Sequence, residues 1–589
     1  MADVTNTEIA AALDELGDLT ELDGGAVYRV VAYRNAAKAV REAPTSVLAL
    51  ARENRATELP GVGGIIQEKI IQLADDGAIP ATVKLRAKFP PGVIEMTKLP
   101  GLGPKRVRRL FEELGIDSLE ALKTAAEEQR IRGLKGFGPK AEEAILGSLR
   151  LAGAGERAAR VILDRALAIA DPLIAALREH PAAERVELAG SARRMTDTVK
   201  DLDVIATAHD PLALATAATQ LDLTESAATP TEAGVRLRTH TGIAVDLRIV
   251  APDQFGNLLQ HLTGSKQHNM ALRDAAVRKG LHVSEYGVLD DATGETHRCA
   301  TEHDVYALLG LEYIEPELRE NRGELEAAAA GTLPQLISQA DLKGDLHCHT
   351  TASDGTASIE QMAVAARDAG YEYLAVTDHS ASFGFGDEVS PDRLREQIAQ
   401  IRAIGLDGLQ LLAGSEVNIL PDGSLDYDDE LLGELDWVIA SVHSSFRMSS
   451  EEMTARMIKA IEHPLVDAIG HPSGRKLERR APYSFDVERV IEAAARTGTM
   501  LEINSNPDRR DLNDIDARAA AAAGVPIVIN TDSHRTAGFA VARYGIATAR
   551  RAWLTASQVL NTRPWEEVQA LRPRHRSDLS ASSLRRARA

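Results

Sequence analysis

Two sets of residues in this chain have the types and spacing for metal-assisted phosphate chemistry. Asp201 and Asp203 flank Leu202 at the head of one apolar run, and Asp246 lies within a second, residues 245–250. Side chains on a strand alternate faces, so Asp201 and Asp203 project to the same side, about 7 Å apart. Three carboxylates converging from two strands suit Mg²⁺, a hard ion that tends to keep substrate phosphates in its shell. Two such ions can clamp the attacking and leaving oxygens of an in-line phosphoryl displacement. Just upstream, Gly190 lets the backbone come close to a phosphate, and Ser191 and Arg194 can donate to its oxygens. A lone D-x-D is more often a polar strand end. The G-S-x-R-R before it and the V-D-L after it favour the metal reading.

The second set is His347, His349, Asp354, His379, Glu416, His443, His471, Asp532 and His534. Single histidines are usually structural, but these nine fall at the ends of successive apolar runs. Imidazole with carboxylate suits Zn²⁺, Mn²⁺ or Fe²⁺, and nine ligands with one bridging carboxylate can hold three ions. Metals this close lower the pKa of water and neutralise charge developing on a phosphodiester.

The elements that must carry these groups can be read from the same pattern. Seven short apolar runs, near residues 345, 373, 411, 438, 466, 501 and 526, alternate with helical stretches such as 359–369 and 487–497. Strand–helix alternation with polar strand ends predicts a parallel barrel with its site at the C-terminal face. The N-terminal third reads as helical and repeats one shape three times: Leu59-Pro60-Gly61-Val62-Gly63, Leu99-Pro100-Gly101-Leu102-Gly103 and Leu134-Lys135-Gly136-Phe137-Gly138. Each pair of glycines makes a tight hairpin that aims backbone N–H groups at an anion from a helix start. Lys105, Arg106, Arg108 and Arg109 follow the second hairpin; they either reach flanking phosphates or form a solvated helix face. Lys69, beside Ile66 and Ile70, is expected to be buried enough to become nucleophilic, against the alternative of an ordinary amphipathic-helix lysine.

The bulk numbers bound the class. A chain of 589 residues is too long for one core, and 44% hydrophobic content is globular. No run of apolar residues is long enough for a membrane span and no signal peptide is read at the N-terminus, so a cytoplasmic protein with no membrane partner is expected. Two cysteines fit a reducing compartment. The net charge of −20 argues against nucleic acid, but metal ligands account for many carboxylates and backbone N–H groups hold DNA without net charge.

The motifs G-S-x-R-R, D-L-D and V-D-L resemble the nucleotidyltransferase palm of family X DNA polymerases, the DNA polymerase beta family. The glycine hairpins resemble helix–hairpin–helix motifs, which grip the DNA backbone without reading sequence, and the histidine-rich barrel resembles the PHP (polymerase and histidinol phosphatase) domain. The resemblance implies α-helical hairpin domains at 1–80 and 81–154, an α/β palm with a mixed sheet at 155–255 and a nucleotide- and template-binding subdomain at 256–320. A linker at 321–341, a (β/α)7 PHP barrel at 342–570 and a basic flexible tail at 571–589 complete it.

On the resemblance, Asp201, Asp203 and Asp246 are catalytic carboxylates holding two Mg²⁺, with Gly190, Ser191 and Arg194 on the nucleotide's phosphates. Thr263 and Gly264 lie at the sugar, and Asn269 and Arg273 near the nascent pair. The family's commoner Tyr-Phe before T-G-S is His261-Leu262 here, which alters the sugar-discriminating surface. Gly61, Gly63, Gly101, Gly103, Gly136 and Gly138 contact DNA. Lys69 matches the Schiff-base lysine of a 5′-deoxyribose phosphate lyase and Tyr33 a tyrosine of the same site, although a second lysine usual nearby is Ile65. The nine barrel residues are the ligands of Mn²⁺ or Zn²⁺. The implied activity, in a nucleoid-associated monomer, is filling of short gaps in base-excision repair from gapped or nicked DNA and deoxynucleoside triphosphates, with 3′–5′ exonuclease and abasic-site cleavage in the barrel. The competing reading is a DNA-end phosphoesterase that uses residues 1–320 as a binding platform. A small-molecule phosphatase of histidinol phosphate type is the third.

Overall fold

The computed structural model describes residues 4–99, 101–152, 160–382, 384 and 388–573. It forms two compact units: one from Met1–Val161, Arg165–Leu188 and Lys200–Pro252, the other from Ile162–Asp164, Ala189–Val199 and Asp253–Ala589. Among the described residues no helix is long and apolar enough to cross a membrane.

The first unit opens with helices. Asn6–Leu22 starts from a capping box in which Thr5 and Glu8 satisfy each other's backbone N–H groups. Its Ile9, Leu13 and Leu16 recur at helical spacing and are buried against Ala37, Val40, Ile66 and Ile70. A second core gathers Leu19 and Leu22 with Val93, Leu102, Leu110 and Phe137.

The three hairpins fold alike. Val62 N donates to Leu59 O, Leu102 N to Leu99 O and Phe137 N to Leu134 O at 3.1, 3.0 and 2.9 Å. Gly61, Gly101 and Gly136 take φ of +85°, +82° and +86°, a region glycine enters without strain. The apolar residue between each glycine pair is buried and plugs the turn into the core, while the glycines stay exposed.

The remainder of this unit is a five-stranded mixed sheet in the order Ala183–Leu188, Asp201–Ala208, Ala244–Ile249, Gly234–Thr239, Thr224–Ala227. Asp201–Ala208 and Ala244–Ile249 are its parallel pair, and the other pairings are antiparallel. Leu202, Val204, Val245 and Leu247 are all buried. That sets the phase of both strands, because a one-residue slip would turn carboxylates into the core.

In the second unit, the helices Phe255–Thr263, Lys266–Val277 and Glu302–Leu308 accompany a small antiparallel meander, Leu281–Ser284, Gly287–Asp290 and Thr296–His297. Leu272, Val288, Val305, Tyr306 and Ile314 form their core. The sequence reads 321–341 as a linker; instead Glu324–Ala330 is a helix whose Leu325 and Ala328 enter this same core. Its Glu324 is fully buried, 2.6 Å from His268 Nδ1. Small alanine side chains let the helix pack closely, a property that composition does not separate from a linker.

Glu302 is the electrostatic centre of this region. It receives Arg193 at 2.9 and 2.7 Å and also Arg319 Nη1, from a side chain with no exposed surface. Burial alone would raise the carboxyl's pKa; the two guanidinium groups override it and bring it down to about 2.

The rest of the second unit is the barrel. Seven strands, Gly344–Cys348, Tyr373–Val376, Gln410–Asn418, Trp437–Ser441, Ala468–Ile469, Met500–Asn504 and Ile527–Asn530, lie in chain order and pair in parallel throughout. A Cys348–Ser533 bridge, with His349 N donating to Ser533 O at 2.8 Å, joins the first strand to the chain following the last. Leu346, Leu412, Trp437, Met500 and Val528 fill the interior beneath the polar end, closed below by Trp565 and Val568. The basic tail expected at 571–589 lies outside the described residues beyond 573. At its start Arg572 is buried and forks onto Asp467 at 2.8 and 2.9 Å.

A depressed folded-state pKa gives stability that is present above the unfolded carboxyl's value, about 4.3, and lost as pH falls towards about 2. Glu302→Gln strands a buried guanidinium, so we expect a loss of about 3–5 kcal/mol at pH 7. Urea unfolding at pH 7 and pH 3 checks this: the gap between wild type and variant should shrink at the lower pH.

Candidate functional site

Asp203 and Asp246 are direct partners in the parallel pairing, and Asp201 stands two residues before Asp203. The three carboxylates therefore share one face of the sheet, each half-buried; Asp203 and Asp246 lie between buried apolar neighbours, and Asp201 lies between exposed Lys200 and buried Leu202. Lys200 Nζ is 3.9 Å from Asp201 and Arg236 Nε 3.6 Å from Asp246. Arg236 is 82% exposed, and an ion pair of that kind contributes about 0–1 kcal/mol, too little to compete with a divalent cation.

In the second unit Gly190, at φ +67°, opens the single-turn helix Gly190–Arg193. Thr196 closes the turn by donating its N–H and hydroxyl to Ser191 O at 3.2 and 3.1 Å. Arg194, expected to present its guanidinium to phosphate, is engaged internally: Nη1 donates to Thr263 O at 2.7 Å and Nε to Glu320 at 3.0 Å. Thr263 is fully buried, its hydroxyl accepting from Arg193 at 2.8 Å. Asn269 is also turned inward, donating to His261 O at 2.7 Å and Gly264 O at 3.2 Å. A Cβ on Gly264 would come within 2.3 Å of the Asn269 oxygen, so glycine is required there. Arg273 is exposed, 3.3 Å from His261 Nδ1.

The hairpin surface is open: Gly63 and Gly103 cap the helices Gly64–Asp76 and Pro104–Leu114, and a Cβ on either, or on Gly138, would meet nothing within 4 Å. Of the basic run, Arg108 and Arg109 pair with Glu112 and Glu113 one turn on, and Arg106 folds back onto Gly101 O. Lys69 sits at the edge of its helix, half-exposed, rather than buried as its Ile66 and Ile70 neighbours are, because its position falls between the core stripe and solvent. Tyr33 packs half-buried on the adjacent core.

At the barrel's C-terminal end the nine sequence-predicted residues meet. Their ligand atoms fall into four overlapping groups, each within 4.8 Å: His349, Asp354, His379 and His534; His347, His349 and Glu416; His347, His471 and Asp532; His379, Glu416 and His443. Glu416 is the carboxylate placed to bridge. Its Oε1 faces His443 and His471 at 3.2 and 2.9 Å, and its Oε2 faces His347, His349 and His379 at 3.5, 3.6 and 2.9 Å. Neither ring nitrogen of buried His349 has a hydrogen bond, nor has Glu416 Oε2. Buried polar atoms are rarely left so, and a donor set of this kind fits divalent cations.

Charge in the pocket points the same way. Despite burial, the surrounding histidines hold Glu416 and Asp532 far below the usual carboxylate range. Burial, with His534, His379 or Arg509 nearby, pushes His349 and His471 down to about 4, leaving neutral imidazoles, the ligating form. His379, though buried, is raised to about 9 by Glu416 and Asp354, a demand for positive charge that a cation would meet.

Several supporting residues escaped the sequence reading. His347 Nδ1 lies 2.8 Å from buried Glu502, and a carboxylate can only accept, so the proton sits on Nδ1 and Nε2 is left to ligate. Asn418 does the same for His443 at 2.6 Å, and Asn504 donates to Asp532 at 3.1 Å. Asp378 accepts from Thr350 and Ser353 and so orders the loop that carries Asp354. The available signal was strand phase: Met500, Glu502 and Asn504 share the barrel's interior face.

Family models match four stretches: a helix-hairpin-helix domain at residues 4–79, a SAM-like helix-hairpin-helix tandem at 93–151, a DNA polymerase beta thumb at 258–320 and a PHP domain at 345–506. The chain is 38% identical over 572 residues to the DNA polymerase/3′-5′ exonuclease PolX of Bacillus subtilis, covering 96% of this chain and 99% of that protein. A probable phosphatase of Thermoanaerobacter sp. is 31% identical over 239 residues, 37% of this chain and 89% of its own. One of Acetivibrio thermocellus is 32% identical over 202 residues, 32% and 78% respectively.

Metal content per chain, measured after gel filtration, checks the cluster. We expect Glu416→Gln to lose most of the barrel's metal, and Glu502→Gln to weaken metal affinity by about 10–100-fold.

Proposed function

The chain belongs to the family X DNA polymerases that carry a PHP domain, and on that premise we propose that it fills short DNA gaps and trims 3′ ends at a separate site. The observation that carries the synthetic half is the side-by-side register of Asp203 and Asp246, with Asp201 on the same face. The nine convergent ligand atoms of the barrel support the hydrolytic half.

Asp201, Asp203 and Asp246 would hold two Mg²⁺, and the nine barrel residues up to three Mn²⁺ or Zn²⁺. When bound, such ions neutralise phosphate charge, activate an attacking oxygen and stabilise the leaving one. The chain's own groups then bind and orient. Exposed hairpin N–H groups at Gly61–Gly63, Gly101–Gly103 and Gly136–Gly138 take DNA phosphates without reading sequence. Gly190 and Ser191 receive the nucleotide's phosphates, and Arg273 faces the nascent pair. Arg194 joins them only on leaving Glu320, so nucleotide binding would exchange one ion pair for another. Thr263 and Asn269 shape the sugar pocket from within rather than by direct contact. In the barrel, Glu502 and Asn418 fix the tautomers of His347 and His443, and Arg509, 3.5 Å from Asp532, is a cation within reach of a scissile phosphate. A base-excision role would add Lys69, with Tyr33, as a 5′-deoxyribose phosphate lyase; a half-exposed amine is open to substrate.

Single-nucleotide gap filling by Asp203→Ala and Asp246→Ala should fall about 10²–10³-fold or more, with 3′ resection retained. His347→Ala should do the reverse. Undiminished synthesis in both aspartate variants would leave a DNA-end phosphoesterase as the reading. For the lyase, borohydride trapping of an incised abasic DNA should disappear in Lys69→Ala, and an unchanged trapped yield assigns that chemistry elsewhere.

A further inference from the structure

The turn that carries Gly190 and Ser191 is held by the barrel. Met195 within it takes φ of +56°, a left-handed conformation that costs a non-glycine residue about 1 kcal/mol or more, so its surroundings must keep it there. Arg510, with no exposed surface, donates from Nη2 to Met195 O at 2.9 Å. Asp197, two residues on, accepts from Arg475 Nη1 at 2.9 Å and lies 3.3 Å from Arg510 Nη1. Arg551 Nη1 donates to Arg194 O at 3.0 Å and to Glu320 at 2.9 Å.

All three arginines belong to the barrel. Arg475 follows its fifth strand, Arg510 its sixth, and Arg551 ends the helix Ala542–Arg551. Their exposures are 9%, 0% and 7%. They are fixed from behind: Arg475 Nε donates to Arg509 O at 2.8 Å and its Nη2 to Arg510 O, while Arg510 Nε donates to Thr548 Oγ1 at 3.0 Å. A guanidinium buried without acceptors costs several kcal/mol, and the 194–197 segment supplies acceptors to all three. Arg551 has Glu320 and Asp514 as well, each at 2.9 Å, but Arg475 and Arg510 pair with Asp197, so the turn cannot withdraw Asp197 without stranding their buried charge.

We propose that Arg475, Arg510 and Arg551 are positioning residues for nucleotide addition, through which the hydrolytic barrel presets the phosphate-receiving turn. This rests on the reading of Gly190 and Ser191 as phosphate ligands. The test is steady-state gap filling by the full chain, with dNTP concentration varied, in Asp197→Ala, Arg475→Ala and the double variant. KM for dNTP should rise about ten-fold in each single variant, the scale of one charge-assisted hydrogen bond, with kcat little changed. The double variant should lose less than the sum of the two single ones, because each single variant already breaks the Asp197–Arg475 pair. Asp197→Asn, which keeps an acceptor oxygen, should recover most of the KM, and Asp197→Ala should still resect 3′ ends. Unchanged KM, additive losses, or resection lost together with synthesis would each overturn the proposal. Where Arg475→Ala does not fold, the Ala and Asn variants at 197 decide it. A wild-type chain that adds no nucleotide would remove the underlying reading and this proposal with it, whereas an active wild type with indifferent variants removes the proposal alone.

Discussion

The two-residue period of a strand aims much of the chemistry in this protein. In the mixed sheet, Leu202 and Val204 must face the core, so Asp201 and Asp203 cannot, and the parallel pairing sets Asp246 beside them. In the barrel, the same alternation runs from apolar to polar along each interior line: Leu412 to Glu416, Met500 to Glu502 and Asn504, Val528 to Asn530. Hydrophobic burial at one end of a strand thereby positions charge at the other. The first strand departs from this rule, with a register irregularity between Asp345 and Cys348. Such irregularities re-aim side chains, and His347 sits in this one.

Phase places the groups, and electrostatics decides what they can do. Buried carboxylates gathered around Glu416 are sustained by the imidazoles facing them, and their depressed proton affinities show how strongly the pocket favours positive charge. The trio on the mixed sheet is half-exposed, its cationic neighbours at 3.6 and 3.9 Å and weakly held. The contrast suits different duties. In the barrel, imidazoles of fixed tautomer and buried carboxylates would hold ions from the protein side, whereas carboxylates open to solvent suit ions that arrive with phosphates already in their shells.

Much of this was legible in the sequence because it depends on short-range periodicity. The three hairpins, the two carboxylate strands, the seven barrel strands and the nine polar residues at their ends all follow from spacing within a few residues. What was not legible depends on partners far along the chain. Alanine-rich 324–330 reads as a linker until the core that receives Leu325 and Ala328 is known. The engagement of Arg194 with Glu320, 3.0 Å away and 126 residues on, has no local signature, and Lys69 reads as buried because its sequence neighbours are. Glu502 was missed for the opposite reason: a single carboxylate inside M-L-E-I-N shows no motif, only a phase.

The acidity of the chain then ceases to conflict with DNA. Binding by lysine and arginine releases counterions and so varies steeply with salt, whereas exposed amides at helix starts attract phosphate through partial charges that do not enter the net charge of −20. Arg108 and Arg109 pair with glutamates of their own helix, whereas the hairpin glycines Gly63, Gly103 and Gly138 face open space. A protein that must reach a DNA end, act and leave gains from this balance. Three modest, sequence-blind grips would hold DNA by their number, and each would release without breaking a strong ion pair.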